Sequence, residues 1–335
     1  MDDTILLGYG SGGRLYHRLL DEIIVPAFKD PILTKLEDQA NFSLPQGKVA
    51  FTTDSFVVTP IFFPGGDIGK LAVCGTVNDL AVGGARPLYL SSSFIIEEGF
   101  SLGMLQNIVF SMKDAADEAG IRIVTGDTKV VEKGKADGIF INTSGIGIVP
   151  DGINIDSTSA KPGDAVILSG YIGDHGIAVM SAREKLMLDS SIISDVAPLN
   201  GMIQELLEIV PEVRIMRDPT RGGVATTLNE LAQASGVSIK ICEEAVPVRE
   251  EVAAACEIMG FDPLYVANEG KVIVIVPREQ AKTALLRLRR HPHGYQAAII
   301  GEVTAGNPGK VFMQTSVGGL RLIDMMTGAQ LPRIC

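Results

Sequence analysis

The protein has 335 residues, of which 46% are hydrophobic, and its formal net charge is −11. A chain of this length typically forms two domains, and its apolar fraction is too high for a disordered protein. The excess of acidic residues argues against broad nucleic-acid binding, which requires a basic face. It is compatible with a local cationic pocket for nucleotide phosphates and with a bound divalent metal.

Hydropathy and cysteine usage indicate a cytoplasmic protein. No stretch approaches the roughly 18 uncharged apolar residues of a membrane helix, and the first residues, Met1–Thr4, are acidic where a secretory signal would be basic. The four cysteines lie far apart and form no CxxC pair. This spacing is typical of reduced thiols and argues against both a disulfide framework and a zinc site.

Strand-like and helix-like segments alternate in the first half of the chain. Predicted strands cover Lys48–Thr53, Phe56–Thr59, Leu88–Ile96, Ile121–Thr125 and Gly138–Val149. Predicted helices cover Arg14–Leu20, Ile68–Val82 and Ser101–Ala119. Asp67 is the expected N-cap of the second helix, and Gly120 ends the third. Strand pairs mixed with helices favour an α+β domain over a doubly wound sheet.

The second half has the same mixture. Predicted helices cover Asp174–Lys185, Pro198–Val210, Gly222–Ser235 and Val248–Met259. Predicted strands cover Asp164–Leu168, Val237–Ile241, Lys271–Val276, Ala297–Val303 and Lys310–Met313. Turn residues place a domain boundary near 152–162, which gives domains at 1–155 and 156–324. The last residues, 325–335, show no periodicity and predict a mobile tail.

A glycine-rich segment opens the chain at Gly8-Tyr9-Gly10-Ser11-Gly12-Gly13. It satisfies GxGxxG, but a dinucleotide fold would need a proper strand before it and a second strand soon after. A flexible cover over phosphates is the favoured interpretation, and a plain N-terminal loop is the alternative. A second segment, Gly65–Lys70, lacks the GxxxxGK[ST] spacing and has Leu71 where a P-loop needs a hydroxyl, which argues against Walker-type nucleotide hydrolases.

Three acidic residues occupy positions suited to a metal. Asp54 and Asp127 each follow a predicted strand, and Asp79 lies near the end of a helix. Carboxylates at a sheet edge can hold Mg²⁺ and so bridge phosphates, with Asn78 and Thr128 as neutral polar neighbours. Each acid alone is equally typical of an ordinary turn.

The second half contributes further candidates. A predicted helix begins at Asp218-Pro219-Thr220-Arg221-Gly222-Gly223. Its N-terminal amides could receive an anion, or the segment is simply a well-capped helix start. Glu269, just before a strand, is either a base or a loop acid. His175 is a site candidate without an assigned role.

The motifs together resemble a known superfamily. Residues 66–81, Gly126–Val130, Asp218–Gly223 and Asn268–Gly270 are similar to those of the ATP-binding superfamily of aminoimidazole ribonucleotide synthetase and selenophosphate synthetase. The terminal Pro332-Arg333-Ile334-Cys335 narrows the resemblance to the carbamoyl dehydratase family of hydrogenase maturation factors. The likeness extends in order along the whole chain.

The resemblance implies a two-domain α+β fold whose N-terminal domains form a β-barrel across a homodimer, with ATP and Mg²⁺ at the interface. Asp54, Asp79 and Asp127 would be the metal ligands. The implied ATP contacts are Asp54, Asp67, Lys70, Asn78, Asp79, Gly126, Asp127, Thr128, Gly10, Ser11, Gly12 and Gly13. Cys335, Glu269 and Lys129 would be the catalytic residues.

The reaction implied by this resemblance uses the terminal thiol as a carrier. The carbamoyltransferase HypF would place a carbamoyl group on Cys335, and ATP would drive its dehydration from a thiocarboxamide to a thiocyanate. The cyanide would pass to iron on the HypC–HypD complex, for nickel–iron hydrogenase. Glu269 is the better base, because a lysine must first lose a proton. The sequence leaves open whether the tail rests inside or outside the ATP site.

Two alternatives predict different behaviour. An ATP-dependent small-molecule synthetase or kinase of the same fold would keep its turnover without Cys335. A non-catalytic nucleotide-binding scaffold would bind ATP without releasing phosphate, even with a carbamoylated tail. Selenophosphate synthetase is disfavoured, because its reactive cysteine lies near the N-terminus and this chain has none before Cys74.

Overall fold

The computed structural model describes residues 4–11, 13–37, 39–184, 192–325 and 334–335, which form two α+β halves with one large sheet each. The helices are α1 Arg14–Leu19, α2 Val25–Phe28, α3 Ile68–Val82, α4 Leu102–Ala119, α5 Asp174–Glu184, α6 Asn200–Ile209, α7 Gly223–Ser235, α8 Glu250–Met259 and α9 Ala281–Leu288. The strands are β1 Lys48–Phe56, β2 Phe62–Phe63, β3 Gly66–Asp67, β4 Arg86–Glu97, β5 Arg122–Val131, β6 Ile139–Val149, β7 Ala165–Leu168, β8 Ile215–Arg217, β9 Ser238–Cys242, β10 Ile273–Val276, β11 Ala298–Thr304, β12 Lys310–Gln314 and β13 Leu320–Ile323.

The first sheet is open, with strand order β1-β6-β4-β5. β6 runs antiparallel to both β1 and β4, whereas β4 and β5 are parallel. Helices α3 and α4 bury one face. On β1, an edge strand, Phe51 is 69% exposed and Val49 is 50% exposed. Apolar side chains on an open edge strand are typical of a surface that pairs with another chain.

The helices that cover this sheet begin and end where local chemistry requires it. The Asp67 carboxylate accepts hydrogen bonds from the amides of Gly69 and Lys70, which fixes the start of α3. Ser101 caps α4 in the same way, and Gly120 ends α4 with a φ of 68°. That left-handed conformation favours glycine. Apolar residues recur at helical spacing along α4, so its inner face is buried against the sheet.

The second sheet has strand order β13-β12-β9-β11-β7-β10-β8. Its interior strand β7 is buried on both faces: Val166 and Leu168 contact the layer that contains α7, and Ala165 and Ile167 contact the layer of α6 and α9. The segment 150–164 joins the two sheets. The predicted boundary at 152–162 falls in this segment.

The α+β class predicted from the sequence is confirmed, and most predicted elements are present. The short strands β2, β3, β8 and β13 were not predicted, and β1 continues to Phe56 where two separate strands were expected. Residues 326–333 of the predicted tail lie outside the described residues, but Ile334 and Cys335 are described and lie against the body of the protein. Within the described ranges, no helix is long and apolar enough to cross a membrane.

Candidate active site

The end of the chain is held between the two halves of the molecule. The Val57 amide donates to the Cys335 carbonyl oxygen at 3.2 Å, and Val58 forms an antiparallel bridge with Ile334. From the other half, His175 Nε2 lies 2.6 Å from the Ile334 carbonyl oxygen. Ile334 is 3% exposed and packs into the N-terminal core. The last two residues are therefore docked inside the protein.

Docking places the Cys335 thiol among charged groups. Burial, together with the negative charges of Glu269 and Asp54, raises the pKa of Cys335 to about 12, although the Arg221 guanidinium acts in the opposite direction. A thiol with this pKa is protonated at neutral pH. In the docked position Cys335 is a poor nucleophile, but as a neutral group it tolerates an acidic pocket.

Glu269 is the buried acid of this pocket, with 3% of its surface exposed. Its Oε1 atom has no hydrogen-bond partner among the described residues. Burial and the charges of Asp195, Asp218 and Asp54 raise the pKa of Glu269 well above its ordinary value. An unpartnered buried acceptor is costly unless a ligand satisfies it, so this oxygen is available to a donor other than the described residues.

The backbone of Glu269 is fixed from two directions. The Asn78 side-chain amide donates to the Glu269 carbonyl oxygen at 3.2 Å, and the Glu269 amide donates to Asp195 Oδ1 at 3.1 Å. Asp195 also accepts from the Gly270 amide and pairs with Lys271 at 3.0 Å. The nearby Lys271 charge holds the pKa of Asp195 below its usual value despite burial. Asp195 was not predicted as a site residue, because it lies in a loop without periodicity.

A group of carboxylates lies beside this pocket. The Thr52 hydroxyl donates to Asp79 Oδ2 at 2.9 Å, and Arg221 Nη2 lies 3.8 Å from Asp54 Oδ1. Burial raises the pKa of both Asp54 and Asp79. Burial and the charges of Asp79 and Asp54 raise the pKa of Asp218 to about 7. Crowded carboxylates with raised pKa values mark a place where added positive charge is stabilising.

The donor set suits Mg²⁺, which prefers hard oxygen ligands and commonly uses one or two carboxylates plus substrate phosphates. Asp54 and Asp79 supply such oxygens. Across the part of the chain that the structure describes, no group of three or more His, Cys, Asp or Glu side chains is arranged as a complete metal cage. The residues present therefore fit a metal that arrives with phosphate oxygens as additional ligands.

The third predicted metal ligand, Asp127, lies elsewhere. Asp54 is on edge strand β1 and its strand partner Thr143 contacts α3, whereas Asp127 is on the opposite edge strand β5, level with Ser93. Ser92, the residue before Ser93, faces α4. Because side chains alternate along a strand, Ser93 and the Asp127 beside it point away from the helices. Three strand spacings separate the two edges, which is about 14 Å. Within one chain, Asp127 is not brought to Asp54 and Asp79.

Lys129 shares the location of Asp127. It lies on β5, 65% exposed, with its Nζ atom 3.6 Å from Asp127 Oδ2. The docked tail is hydrogen-bonded to Val57, the residue that follows β1, at the other edge of the sheet. One chain therefore holds Cys335 and Glu269 at one edge and Lys129 at the other.

A cavity of about 410 Å³ lies beside β5. Its apolar wall includes Leu20, Ile24, Phe28 and Phe94, and its polar wall is Gly126, Asp127 and Thr128. A Cβ atom on Gly126 would lie 2.2 Å from the Ser92 carbonyl oxygen, so the close approach of β4 and β5 requires glycine there. An apolar cavity with backbone and carboxylate groups along one side is typical of a small-molecule site.

The glycine-rich N-terminal segment packs on the same strand. A Cβ atom on Gly10 would lie 2.5 Å from the Val130 amide nitrogen. Ser11 Oγ donates to the Leu7 carbonyl oxygen at 3.2 Å, and Gly13 precedes α1. Gly12 lies outside the described residues. The segment thus adjoins the strand that carries Gly126 and Asp127.

Three other predicted nucleotide contacts have partners within the protein. Asp67 caps α3, Lys70 Nζ lies 3.4 Å from the Gly65 carbonyl oxygen, and Asn78 bonds to Glu269, Ala197 and Leu199. Asn78 is 1% exposed. In this structure Asp67 and Asn78 therefore shape the pocket through the backbone.

Comparison with known proteins places these features in a family. Residues 36–149 match the family model "AIR synthase related protein, N-terminal domain", and residues 161–314 match "AIR synthase related protein, C-terminal domain". The chain is 54% identical over 332 residues to the carbamoyl dehydratase HypE of Azotobacter vinelandii, an alignment that covers 99% of this chain and 97% of the relative.

Two solved structures are similar over most of both chains. One is the hydrogenase maturation protein HypE in complex with ATP, with a TM-score of 0.96 and 50% identity over 99% of this chain and 100% of the other. The other is HypE in a HypE–HypF complex, with a TM-score of 0.81 and 54% identity over 92% of this chain and 99% of the other.

Proposed function

This chain belongs to the AIR synthase related family and, within it, to the HypE carbamoyl dehydratases of hydrogenase maturation, and we propose that its substrate is its own C-terminus. A carbamoyl group carried on Cys335 as a thiocarboxamide is dehydrated with ATP to a thiocyanate. The cyanide then becomes a ligand of the iron of nickel–iron hydrogenase.

The docked tail carries this proposal. Cys335 is partly buried and lies near Glu269, whose carboxylate has an oxygen, Oε1, without a hydrogen-bond partner among the described residues. A thiocarboxamide is neutral and carries an NH₂ group, so it can enter the acidic pocket and donate to that oxygen. A thiolate would be repelled by Glu269 and Asp54. The pocket is thus complementary to the loaded tail.

The chemistry requires activation of the carbonyl oxygen, because an amide oxygen is a poor leaving group. The thiocarboxamide oxygen attacks the γ-phosphorus of ATP, the bond to the bridging oxygen breaks, and ADP leaves. The nitrogen loses one proton as the O-phosphorylated intermediate forms. It loses the second as the C–O bond breaks, phosphate leaves and the C≡N bond forms. The products are the thiocyanate, ADP, phosphate and the released protons.

Glu269 is suited to accept these protons. Its raised pKa makes the carboxylate a stronger base than an exposed glutamate, and its electrostatic interaction with Cys335 supports a position near the nitrogen of the loaded tail. Asp195 and Asn78 fix its backbone, so it does not turn away from the tail. Mg²⁺ held by Asp54 and Asp79 would neutralise phosphate charge during the transfer.

A homodimer would complete the site. The open sheet places the cavity beside β5 at one edge and the docked tail at the other. If two copies close their sheets into one barrel, β5 of one chain adjoins β1 of its partner. ATP in the cavity beside β5 would then direct its phosphates to the partner's tail, and Asp127 and Lys129 would lie on the strand next to the partner's β1, which carries Asp54.

The tail must leave this pocket to be loaded. HypF is proposed as the carbamoyl donor, in line with the solved HypE–HypF complex of a similar chain. The raised pKa of docked Cys335 makes it a poor nucleophile, so we infer that loading uses an undocked tail. Transfer of cyanide to the HypC–HypD complex requires the same movement. We place all of these reaction steps in the cytoplasm, where the thiol stays reduced.

Intact-mass measurement tests the proposal. The purified chain is incubated with HypF, carbamoyl phosphate, ATP and Mg²⁺, with Cys335→Ser as the matched control. We expect a gain of one carbamoyl group followed by loss of one water, only when Cys335 is present. ATP turnover on a free metabolite that persists in Cys335→Ser would instead support a small-molecule synthetase. ATP binding without phosphate release from the loaded chain would support a scaffold.

A further inference from the structure

His175 is a fully buried histidine that the proposed chemistry does not use. It lies in the first turn of α5 and has 0% of its surface exposed. Both ring nitrogens have partners: Nε2 lies 2.6 Å from the Ile334 carbonyl oxygen, and Nδ1 lies 2.8 Å from Ser194 Oγ. The Phe63 ring meets it edge-on at 5.4 Å. The ring is therefore held in one orientation and directed at the tail.

The partners determine which nitrogen carries the proton. A carbonyl oxygen can only accept, so Nε2 must donate to Ile334. Ser194 Oγ accepts from the Val196 amide at 3.1 Å, which leaves its hydroxyl hydrogen to donate to Nδ1. Burial lowers the pKa of His175 and so favours the neutral ring. Ser194 thus fixes the tautomer that the tail requires.

The residue after Ser194 connects this arrangement to the acid of the pocket. Asp195 accepts hydrogen bonds from the amides of Glu269 and Gly270. Consecutive residues of one loop therefore hold the tail through His175 and the proposed base through its backbone. This loop therefore contributes to the distance between Cys335 and Glu269, because Ser194 acts through His175 on Ile334 and Asp195 acts on the backbone of Glu269.

We propose that His175 is a positioning residue for the carrier tail: its Nε2–H donates to the Ile334 carbonyl and sets the depth at which Cys335 stands beside Glu269. Val57 supplies the second hydrogen bond, from the other half of the protein. The catalytic consequence of this role rests on the proposed function. The docking role does not depend on it.

Alkylation of Cys335 tests the docking role without any partner or nucleotide. Cys74 and Cys256 are buried, so a Cys242→Ser background leaves Cys335 as the reactive thiol. His175→Leu removes the donor and keeps an apolar side chain, whereas His175→Gln keeps an NH group near the position of Nε2. With iodoacetamide and mass analysis of the C-terminal peptide, we expect about tenfold faster alkylation in His175→Leu. In His175→Gln, we expect the alkylation rate to return most of the way to that of the parent.

Two further variants keep this experiment decisive. Ser194→Ala removes the hydroxyl that fixes the tautomer, is well tolerated sterically, and should also accelerate alkylation. His291→Gln changes a histidine in a different loop and should leave the rate unchanged. Equal alkylation rates in the parent, His175→Leu and Ser194→Ala would overturn the proposal. A His175→Gln rate equal to that of His175→Leu would also overturn it, since the donor would then be irrelevant.

The catalytic consequence is measured separately on chains already carbamoylated by HypF. We expect His175→Leu to accept the carbamoyl group at the parent rate or faster, but to lose water at least tenfold more slowly in a single turnover. A structural defect would slow both steps. If the loaded parent chain itself never loses water, the proposed function fails while the alkylation result still decides the docking role.

Discussion

Asn78 and Glu269 are 191 positions apart, yet the Asn78 side-chain amide donates to the Glu269 carbonyl oxygen at 3.2 Å. The same amide group donates to the Ala197 carbonyl oxygen, and its oxygen accepts from the Leu199 amide. Asn78 lies on α3 of the first half, and all three partners belong to the second. One buried side chain thus links the two halves at the candidate active site.

We expect Asn78→Ala to lower the free energy of unfolding by about 2–4 kcal/mol, because it leaves buried backbone groups of Glu269, Ala197 and Leu199 without partners. Urea unfolding followed by circular dichroism measures the change. Asn107→Ala, on the exposed face of α4, is the matched control and should stay within about 0.5 kcal/mol of the parent. Equal losses in the two variants would contradict the interdomain role.

The buried ion pair of Lys271 and Asp195 should respond strongly to removal of one partner. Lys271→Met leaves the Asp195 charge uncompensated, and we expect a loss of about 3–5 kcal/mol. Adding Asp195→Asn to this variant should recover part of the lost stability, because the buried charge is gone. Arg278→Met removes an ion pair with Glu302 whose arginine is 74% exposed, and should cost less than about 1 kcal/mol. A Lys271→Met loss as small as that of Arg278→Met would contradict the prediction.

Glu269→Gln should separate stability from activity. The raised pKa of Glu269 means that the folded state binds this proton more tightly than the unfolded state, so stability falls as pH rises above the ordinary glutamate range. The variant should therefore match the parent near pH 4 and be more stable at pH 8. Thermal melts across this range measure the difference, with Glu257→Gln, an exposed carboxylate on α8, as the control.

The same residue predicts the pH dependence of dehydration. The basic form of Glu269 is its carboxylate, so the single-turnover rate of the loaded chain should rise with pH through the raised pKa and then level off. Glu269→Gln should abolish dehydration without preventing carbamoylation of Cys335. Dehydration by Glu269→Gln at the parent rate would assign the proton transfer to another group.

Phe51→Lys should disrupt the proposed homodimer. The Phe51 side chain is 69% exposed on edge strand β1, where closure into a barrel would bury it. A buried unpaired lysine in its place should shift the chain to monomer in sedimentation velocity. Ile258→Lys replaces a side chain that is 72% exposed on α8 and should leave the sedimentation coefficient unchanged. A dimer that persists in Phe51→Lys would rule out this edge as the interface.

A mixing experiment identifies which chain supplies Lys129. We expect Lys129→Gln and Cys335→Ser each to fail in dehydration alone. In a mixed dimer, the tail of the Lys129→Gln chain would meet the intact Lys129 of its Cys335→Ser partner, so activity should return after the two are combined. No recovery, despite exchange of subunits, would mean that Lys129 acts within its own chain.

The fold could be predicted furthest where its determinants are local. The bounds of α3 follow the sequence prediction because Asp67 begins it and Gly83-Gly84 follow its end, and α4 differs by one residue. The strands β2, β3, β8 and β13 were missed, because each has only two to four residues. Strands this short leave little periodicity to detect.

The same distinction applies to the site. Glu269 and Cys335 were predicted as site residues from motif resemblance, and in the structure they lie close enough to interact electrostatically. The separation of Asp127 from Asp54 depends on the strand order of the sheet, which no local pattern encodes. Asp195 acts on a backbone segment 74 positions away, and His175 on one 159 positions away. Side chains whose partners are distant backbone groups have no sequence signature.

The attachment of the docked tail to the chain alters how the proposed enzyme responds to dilution. Cys335 reaches Glu269 as part of the same molecule, so its local concentration is set by the length of the tail and not by the amount of protein. With ATP saturating and the proposed homodimer intact, water loss should therefore be first order in loaded chain. Carbamoyl delivery by HypF is bimolecular and slows on dilution. At low abundance, encounter with HypF rather than dehydration would limit the supply of cyanide.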